Sequence, residues 1–185
     1  MGTDGKVVEH CWDGDKWYKG SFTADNAAGI EATAWKTGGS GGLSAISDPS
    51  ASVSIRIYVR GKDNRVTEYY RDDGQWKIGA FSAQNIKDIS VASYVKGASH
   101  VHLRAYTINN NHQLVEHCWD GDDWYTGDLS LGGVDSVAAT AWSDKSSKLG
   151  GTETTHVRVY TKGSDNRIVE RYWAGDWNDG EFTPA

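Results

Sequence analysis

Three arginines each stand twelve residues ahead of a glutamate: Arg56 and Glu68, Arg104 and Glu116, Arg158 and Glu170. Three residues after each of these glutamates, and after Glu9, comes a ring or its substitute: Trp12, Arg71, Trp119 or Trp173. A second ring then follows at Trp17, Trp76, Trp124 or Trp177. An arginine and a glutamate facing each other across antiparallel strands form an ordinary ion pair, worth under about 1 kcal/mol. The rings alone would be large packing groups whose indole N–H finds a carbonyl. Taken together, the same residues could bind a saccharide. The guanidinium supplies donors in a rigid fork, the carboxylate supplies only acceptors, and an indole face stacks on the apolar side of a sugar ring.

The elements that must position these groups come from an internal repeat. Its hairpin units run Lys6–Phe22, Arg65–Phe81, Gln113–Leu129 and Arg167–Phe182, each an alternating strand, a glycine-containing turn and a second strand opening with Trp. Leading runs stand at Ser54–Val59, Val101–Tyr106 and His156–Thr161, and further runs follow at Ile30–Trp35, Ile89–Tyr94 and Val137–Trp142. The marker tryptophans recur every 48–59 residues, a blade period rather than a solenoid one. A β-sandwich is the alternative, but it gives no reason for one pattern to recur four times.

The expected fold is all-β: a β-propeller of four-stranded antiparallel blades in a single domain, 1–185, with units near 1–53, 54–100, 101–154 and 155–185. The first unit lacks its leading run and the last its trailing run, leaving about 3.5 blades where propellers close with about 4–8. Open edges then predict a homo-oligomer that completes the ring. The long Gly/Ser-rich connector Lys36–Val53 has room for another strand at Leu43–Ser47.

Composition narrows the function. Hydrophobic residues are 38% and charged residues 24% of 185, and the formal charge is −6 with no basic cluster, which argues against nucleic acid, anionic membranes and membrane insertion. Cys11 and Cys118 occupy equivalent places in separate repeats and read as small buried hydrophobes rather than a disulfide. Residues Met1–Gly5 have no apolar stretch of a secretory signal, so the expectation is a cytoplasmic protein or one secreted by a non-classical route. The acidic residues Asp13, Asp15, Asp120, Asp122 and Asp123 read as turn formers rather than as the carboxylates of a sialidase-like hydrolase. They also lack the spacing of a calcium loop. His100 and His102 share a strand face without a visible third ligand and read as a surface pair. A protein-interaction propeller would not explain why Arg, Glu and Trp keep their spacing.

The run Ile55–Tyr58 with Thr67-Glu68, and the stretch Glu116-His117-Cys118-Trp119-Asp120-Gly121 continuing to Trp124-Tyr125-Thr126-Gly127, resemble the repeat of fucose-binding β-propeller lectins. Both the six-bladed fungal Aleuria type and the short bacterial Ralstonia type, which trimerises, carry it. The resemblance covers nearly the whole chain and implies a metal-independent lectin, not an enzyme, with no cofactor. Its partners would be L-fucose and fucosylated glycans, bound between adjacent blades.

Carried over residue by residue, one site takes Arg56, Glu68 and Ala80 with Val101, Leu103, Trp119 and Trp124. A second takes Arg104 and Glu116 with Val157, Trp173 and Trp177, although its turn Ala174-Gly175-Asp176 is one residue short and Asp128 replaces the alanine. A third would pair Arg158 and Glu170 with Trp12 and Trp17 of another copy. The junction of Glu9 with Arg71 lacks both the leading arginine and one tryptophan, and is expected not to bind.

Overall fold

A computed structural model describes residues 1–37, 52–72, 74–97, 100–145 and 153–182; the strand expected at Leu43–Ser47 lies outside them. The described residues form fourteen strands: β1 (Val7–Trp12), β2 (Trp17–Ala24), β3 (Ala27–Thr37), β4 (Ser52–Gly61), β5 (Val66–Arg71), β6 (Lys77–Ala83), β7 (Ile86–Lys96), β8 (His100–Asn109), β9 (Leu114–Trp119), β10 (Trp124–Leu131), β11 (Val134–Lys145), β12 (Glu153–Gly163), β13 (Ile168–Trp173) and β14 (Trp177–Asp179). They assemble as the hairpin β1-β2 and three four-stranded sheets, β3-β4-β5-β6, β7-β8-β9-β10 and β11-β12-β13-β14. These sheets are the blades of a propeller. Their first strands pack side by side: Thr33 on β3 meets Ser93 on β7 at 2.7 Å, and Ala139 N–H on β11 donates to Ser90 Oγ on β7 at 3.0 Å.

The sheets begin at different points from the sequence units. The run placed at the end of each unit is instead the first strand of the next sheet, with Thr33 opposite Arg56, Ala92 opposite Arg104 and Thr140 opposite Arg158. Alternation marks a strand but does not say which neighbour it joins. The choice is made at two-residue connectors that step onto the next sheet. Asn26 and Asn85 adopt φ of 58° and 59° there, and Gly133 adopts 74°. The step is pinned by Ala27 N–H to Gly5 C=O, Ile86 N–H to Asn64 C=O and Val134 N–H to His112 C=O, each at 2.9 Å. The last sheet is therefore four-stranded, and among the described residues the two-stranded unit is the N-terminal hairpin.

That hairpin is entered through the turn used between the second and third strands of the complete sheets. Gly2 N–H donates to Lys6 C=O at 2.9 Å, as Gly61 does to Arg65 at 2.8 Å and Gly163 to Arg167 at 3.1 Å. Asp4, Asp63 and Asp165 each accept the N–H two residues on, the side-chain turn that this residue type favours.

The core is three slabs between successive sheets rather than one interior. Phe22 and Val7 pack on Ile57 and Val59; Phe81 and Val66 pack on Val91 and Ala105; Leu114 and Leu129 pack on Val157 and Val159. A sheet with apolar side chains on both faces needs a neighbour on each side, which is why the blade repeats. Both cysteines are unpaired, and burial pushes the Cys118 thiol up to about 12.

Candidate functional site

Three of the repeat glutamates, Glu9, Glu68 and Glu116, sit at a bulge that their own hairpin creates. Thr67 pairs with Ser82 and Tyr69 with Ile78, so Gly79, Ala80 and Phe81 all stand opposite Glu68. The same irregularity lies at Glu116 and at Glu9. A bulge leaves backbone N–H groups without ladder partners, and the carboxylate takes one of them. Glu68 Oε2 accepts from Phe81 N–H at 3.0 Å, and Glu116, Glu9 and Glu170 accept from Leu129, Phe22 and Phe182, each at 3.1 Å. The other oxygen accepts the phenol of Tyr58, Tyr106 or Tyr160 at 3.0–3.1 Å in the three complete sheets. Burial, with the neighbouring carboxylate, raises the Tyr58 and Tyr106 phenols, which keeps them neutral donors. Glycine opens each bulge because the carboxylate lies over it: a Cβ at Gly79 or Gly127 would stand 2.2 or 2.3 Å from a glutamate oxygen.

The arginine is not directly across from the glutamate, as the sequence suggested. Arg56 faces Tyr70 and Glu68 faces Tyr58, so the pair is diagonal, with Arg56 Nε 3.7 Å from Glu68 Oε1. Arg158 Nε lies 3.3 Å from Glu170 Oε1. The guanidinium of Arg56 lies over the rings of Trp35 on β3 and Tyr70 on β5, at 4.9 and 4.8 Å. Arg158 stands over Tyr172 at 4.7 Å and Trp142 at 5.9 Å, and Arg104 over Tyr94 at 5.5 Å. The inner strand thus supplies an aromatic support that the sequence reading missed. Its signal was present, since Trp35, Tyr94 and Trp142 end the three equivalent runs.

Two of the pockets between sheets gather the residues singled out from the sequence. One gathers Arg56, Glu68, Tyr70, Asp72, Gly79 and Ala80 from the first complete sheet with Leu103, Trp119 and Trp124 from the second. Val101, named with them from sequence, does not line it. The other gathers Tyr94, Arg104, Glu116, Cys118, Tyr125 and Asp128 with Val157, Trp173 and Trp177. The shortened turn leaves this pocket intact. Trp173 still pairs with Trp177 across the hairpin, as Trp119 does with Trp124, because the missing residue is lost from the turn and not from the ladder. Trp177 Nε1 reaches Glu116 Oε2 at 3.3 Å, joining the two sheets across the pocket floor.

The turn aspartates do more than shape turns. Asp72 receives both terminal nitrogens of Arg56, at 2.6 and 3.1 Å. Asp120 receives Arg104 Nη1 at 2.7 Å, contacts His102 Nδ1 at 2.6 Å and accepts the Tyr125 hydroxyl. Partial burial works to raise the Asp120 carboxyl, but the bonds from Arg104, Tyr125 and His102 outweigh it and hold the group at about 2. His102 stacks on Tyr94 at 4.7 Å and so belongs to this network, while His100 is exposed.

The remaining pairs are incomplete among the described residues. Arg158 and Glu170 hold each other on the last sheet, and Trp12 and Trp17 stand on the first hairpin, 53% and 67% exposed. At the first junction Arg71 takes the place of a tryptophan and points its guanidinium at Glu9, 3.7 Å away.

Comparison with known proteins fits this arrangement. The chain is 28% identical over 184 residues to the fucose-specific lectin of Aleuria aurantia, covering 95% of this chain and 52% of that protein. It matches the solved structure of the SapL1 lectin in complex with alpha methyl fucoside at a TM-score of 0.77 and 30% identity, over 100% of this chain and 59% of that one. The six-bladed β-propeller structure of the Aleuria aurantia lectin matches at a TM-score of 0.71 and 26% identity, over 98% of this chain and 55% of that one. The chain thus spans about half the length of these relatives. The family model for fungal fucose-specific lectins matches residues 42–185, most of the sequence, and the chain belongs to that family.

Proposed function

We propose that this chain is a lectin that binds L-fucose-containing glycans in the pockets of Arg56 and Arg104 between its sheets, without a metal ion. The observation that carries the reading is the convergence of Arg104, Glu116, Trp173 and Trp177 from two sheets on one cleft. A guanidinium edge and a carboxylate satisfy neighbouring hydroxyls as donor and acceptor, and indole faces cover the C–H side of a sugar. None of these contacts requires a cation. The relatives are fucose-specific lectins, and the complexes with fucosides described for them support the same ligand class here.

The test is calorimetric titration with methyl α-L-fucoside in excess chelator, run beside an assay for glycoside turnover. Saturable heat without turnover is expected. Absence of heat at millimolar sugar would overturn the reading.

The same reading includes self-association. Inside the chain, Phe22 meets Trp76 and Phe81 meets Trp124, both at 4.7 Å between ring centroids. Phe182, the equivalent on the last sheet, is 47% exposed, and Trp17, the equivalent of those tryptophans on the first hairpin, is 67% exposed. These two faces are the halves of the interface used internally. Joined between copies, they bring Trp12 and Trp17 to Arg158 and Glu170 and complete a third pocket. Several pockets on one assembly favour clustered glycans through avidity. Light scattering after size exclusion should show a species larger than 20.2 kDa, and a stable monomer would refute the assembly.

A further inference from the structure

We propose that the aspartate four residues after the glutamate, Asp72 in one pocket and Asp120 bonded to the arginine of the other, is a positioning residue that sets that arginine for ligand. The inference rests on the reading of these pockets as fucoside sites.

A guanidinium has five N–H groups, and what it offers a ligand depends on which are already engaged. In the first pocket Asp72 takes Nη1 and Nη2 together, and Nη1 also donates to Ile55 C=O at 3.2 Å. The plane is fixed at one end by that fork and supported by Trp35 and Tyr70. Its Nε edge is left toward Glu68, where donor and acceptor lie side by side.

In the second pocket the same end of Arg104 is held differently. Nη1 donates to Leu103 C=O at 2.8 Å and to Asp120 at 2.7 Å, while Nη2 donates to the Tyr94 hydroxyl at 3.0 Å. Asp120 is itself held by His102 and Tyr125. On the last sheet the equivalent position is Ala174, and Arg158 meets Glu170 and the Tyr172 ring with no carboxylate in that place. A long side chain with freedom to leave its site must be ordered when ligand binds, and a fork that orders it beforehand removes that cost. Asp72 therefore carries more of the positioning than Asp120, because Tyr94 shares the task in the second pocket.

The experiment isolates each pocket in turn. In an Arg104→Ala/Arg158→Ala chain, where only the Arg56 pocket keeps its arginine, methyl α-L-fucoside is titrated against Asp72, Asp72→Ala, the near-isosteric Asp72→Asn and Asp72→Glu, with the melting temperature of each recorded. Asp72→Ala and Asp72→Asn should weaken binding about tenfold at an unchanged number of sites, since a charge-assisted fork is lost. Asp72→Asn should keep the melting temperature of its parent, and Asp72→Glu should recover part of the affinity. In an Arg56→Ala/Arg158→Ala chain, Asp120→Asn should weaken binding only about threefold. An Asp72→Asn protein that binds as tightly as its parent overturns the proposal. So does an equal loss for Ala, Asn and Glu that tracks a fall in melting temperature, which marks a structural role. If the Arg104→Ala/Arg158→Ala parent with Asp72 intact gives no heat, the fucoside reading of that pocket fails first, and this inference with it.

Discussion

The junction at Glu9 and the junction at Glu116 share one scaffold and differ in the polar groups around it. Both glutamates sit at a bulge, lie over a glycine and accept the N–H of the apolar residue that closes the bulge. At Glu116 the carboxylate also receives Tyr106 and Trp177, and Arg104 stands beside it on the adjoining strand. At Glu9 the first hairpin brings no arginine, and Arg71 fills the place of a tryptophan. The glutamate is thus first a structural residue, and it lines a pocket where an arginine of its own sheet and two tryptophans of the next join it.

The comparison breaks most visibly at the glutamates. Glu116→Ala should cost about 3 kcal/mol in urea unfolding, because Tyr106 and the Leu129 N–H are left buried without an acceptor, and should abolish fucoside binding at that junction. Glu9→Ala should cost clearly less, since no tyrosine is bound there. Equal losses would show that the bulge N–H alone dominates.

Gly127→Ala should cost about 2 kcal/mol, as its Cβ would overlap the Glu116 carboxylate, whereas Gly132→Ala, with open space around its Cβ position, should be near neutral in the same measurement. Arg104→Ala should weaken fucoside at its junction at least tenfold, about 1.4 kcal/mol. Arg71→Ala should leave calorimetric affinity unchanged. A shared loss would mean that the first junction also binds sugar.

The smallest effect is in acid. The Asp120 carboxyl lies below its ordinary 3.8, at about 2. Its contribution to stability is therefore complete above about pH 4 and is lost as the pH falls toward 2. Melting temperatures measured across that interval should fall less steeply for Asp120→Asn than for the parent protein.

Spacing in the chain was enough to find the arginines, the glutamates and the paired tryptophans, because a blade must repeat its period to bury both faces. It also marked the first junction as different, through Arg71. It did not reveal the bulge: Gly79 and Ala80 look like ordinary strand residues until Glu68 is seen opposite them. Asp120 reads as a turn former for the same reason, since a turn residue and a ligand of the neighbouring arginine have the same sequence signature, and Asp72 was not singled out at all.

What the sequence determined by itself was local and periodic: alternation gave the strands, Asn, Asp and Gly gave the turns, and recurrence gave the blades. Which sheet a strand joins was decided by single left-handed residues at the connectors and by hydrogen bonds to the preceding sheet. The pockets were decided there too. Arg56 and Trp124 are remote in the chain, and only the stacking of one sheet on the next brings a guanidinium, a carboxylate and an indole to one cleft. Periodicity records which residues a blade presents, but the groups that meet across two blades are set by packing.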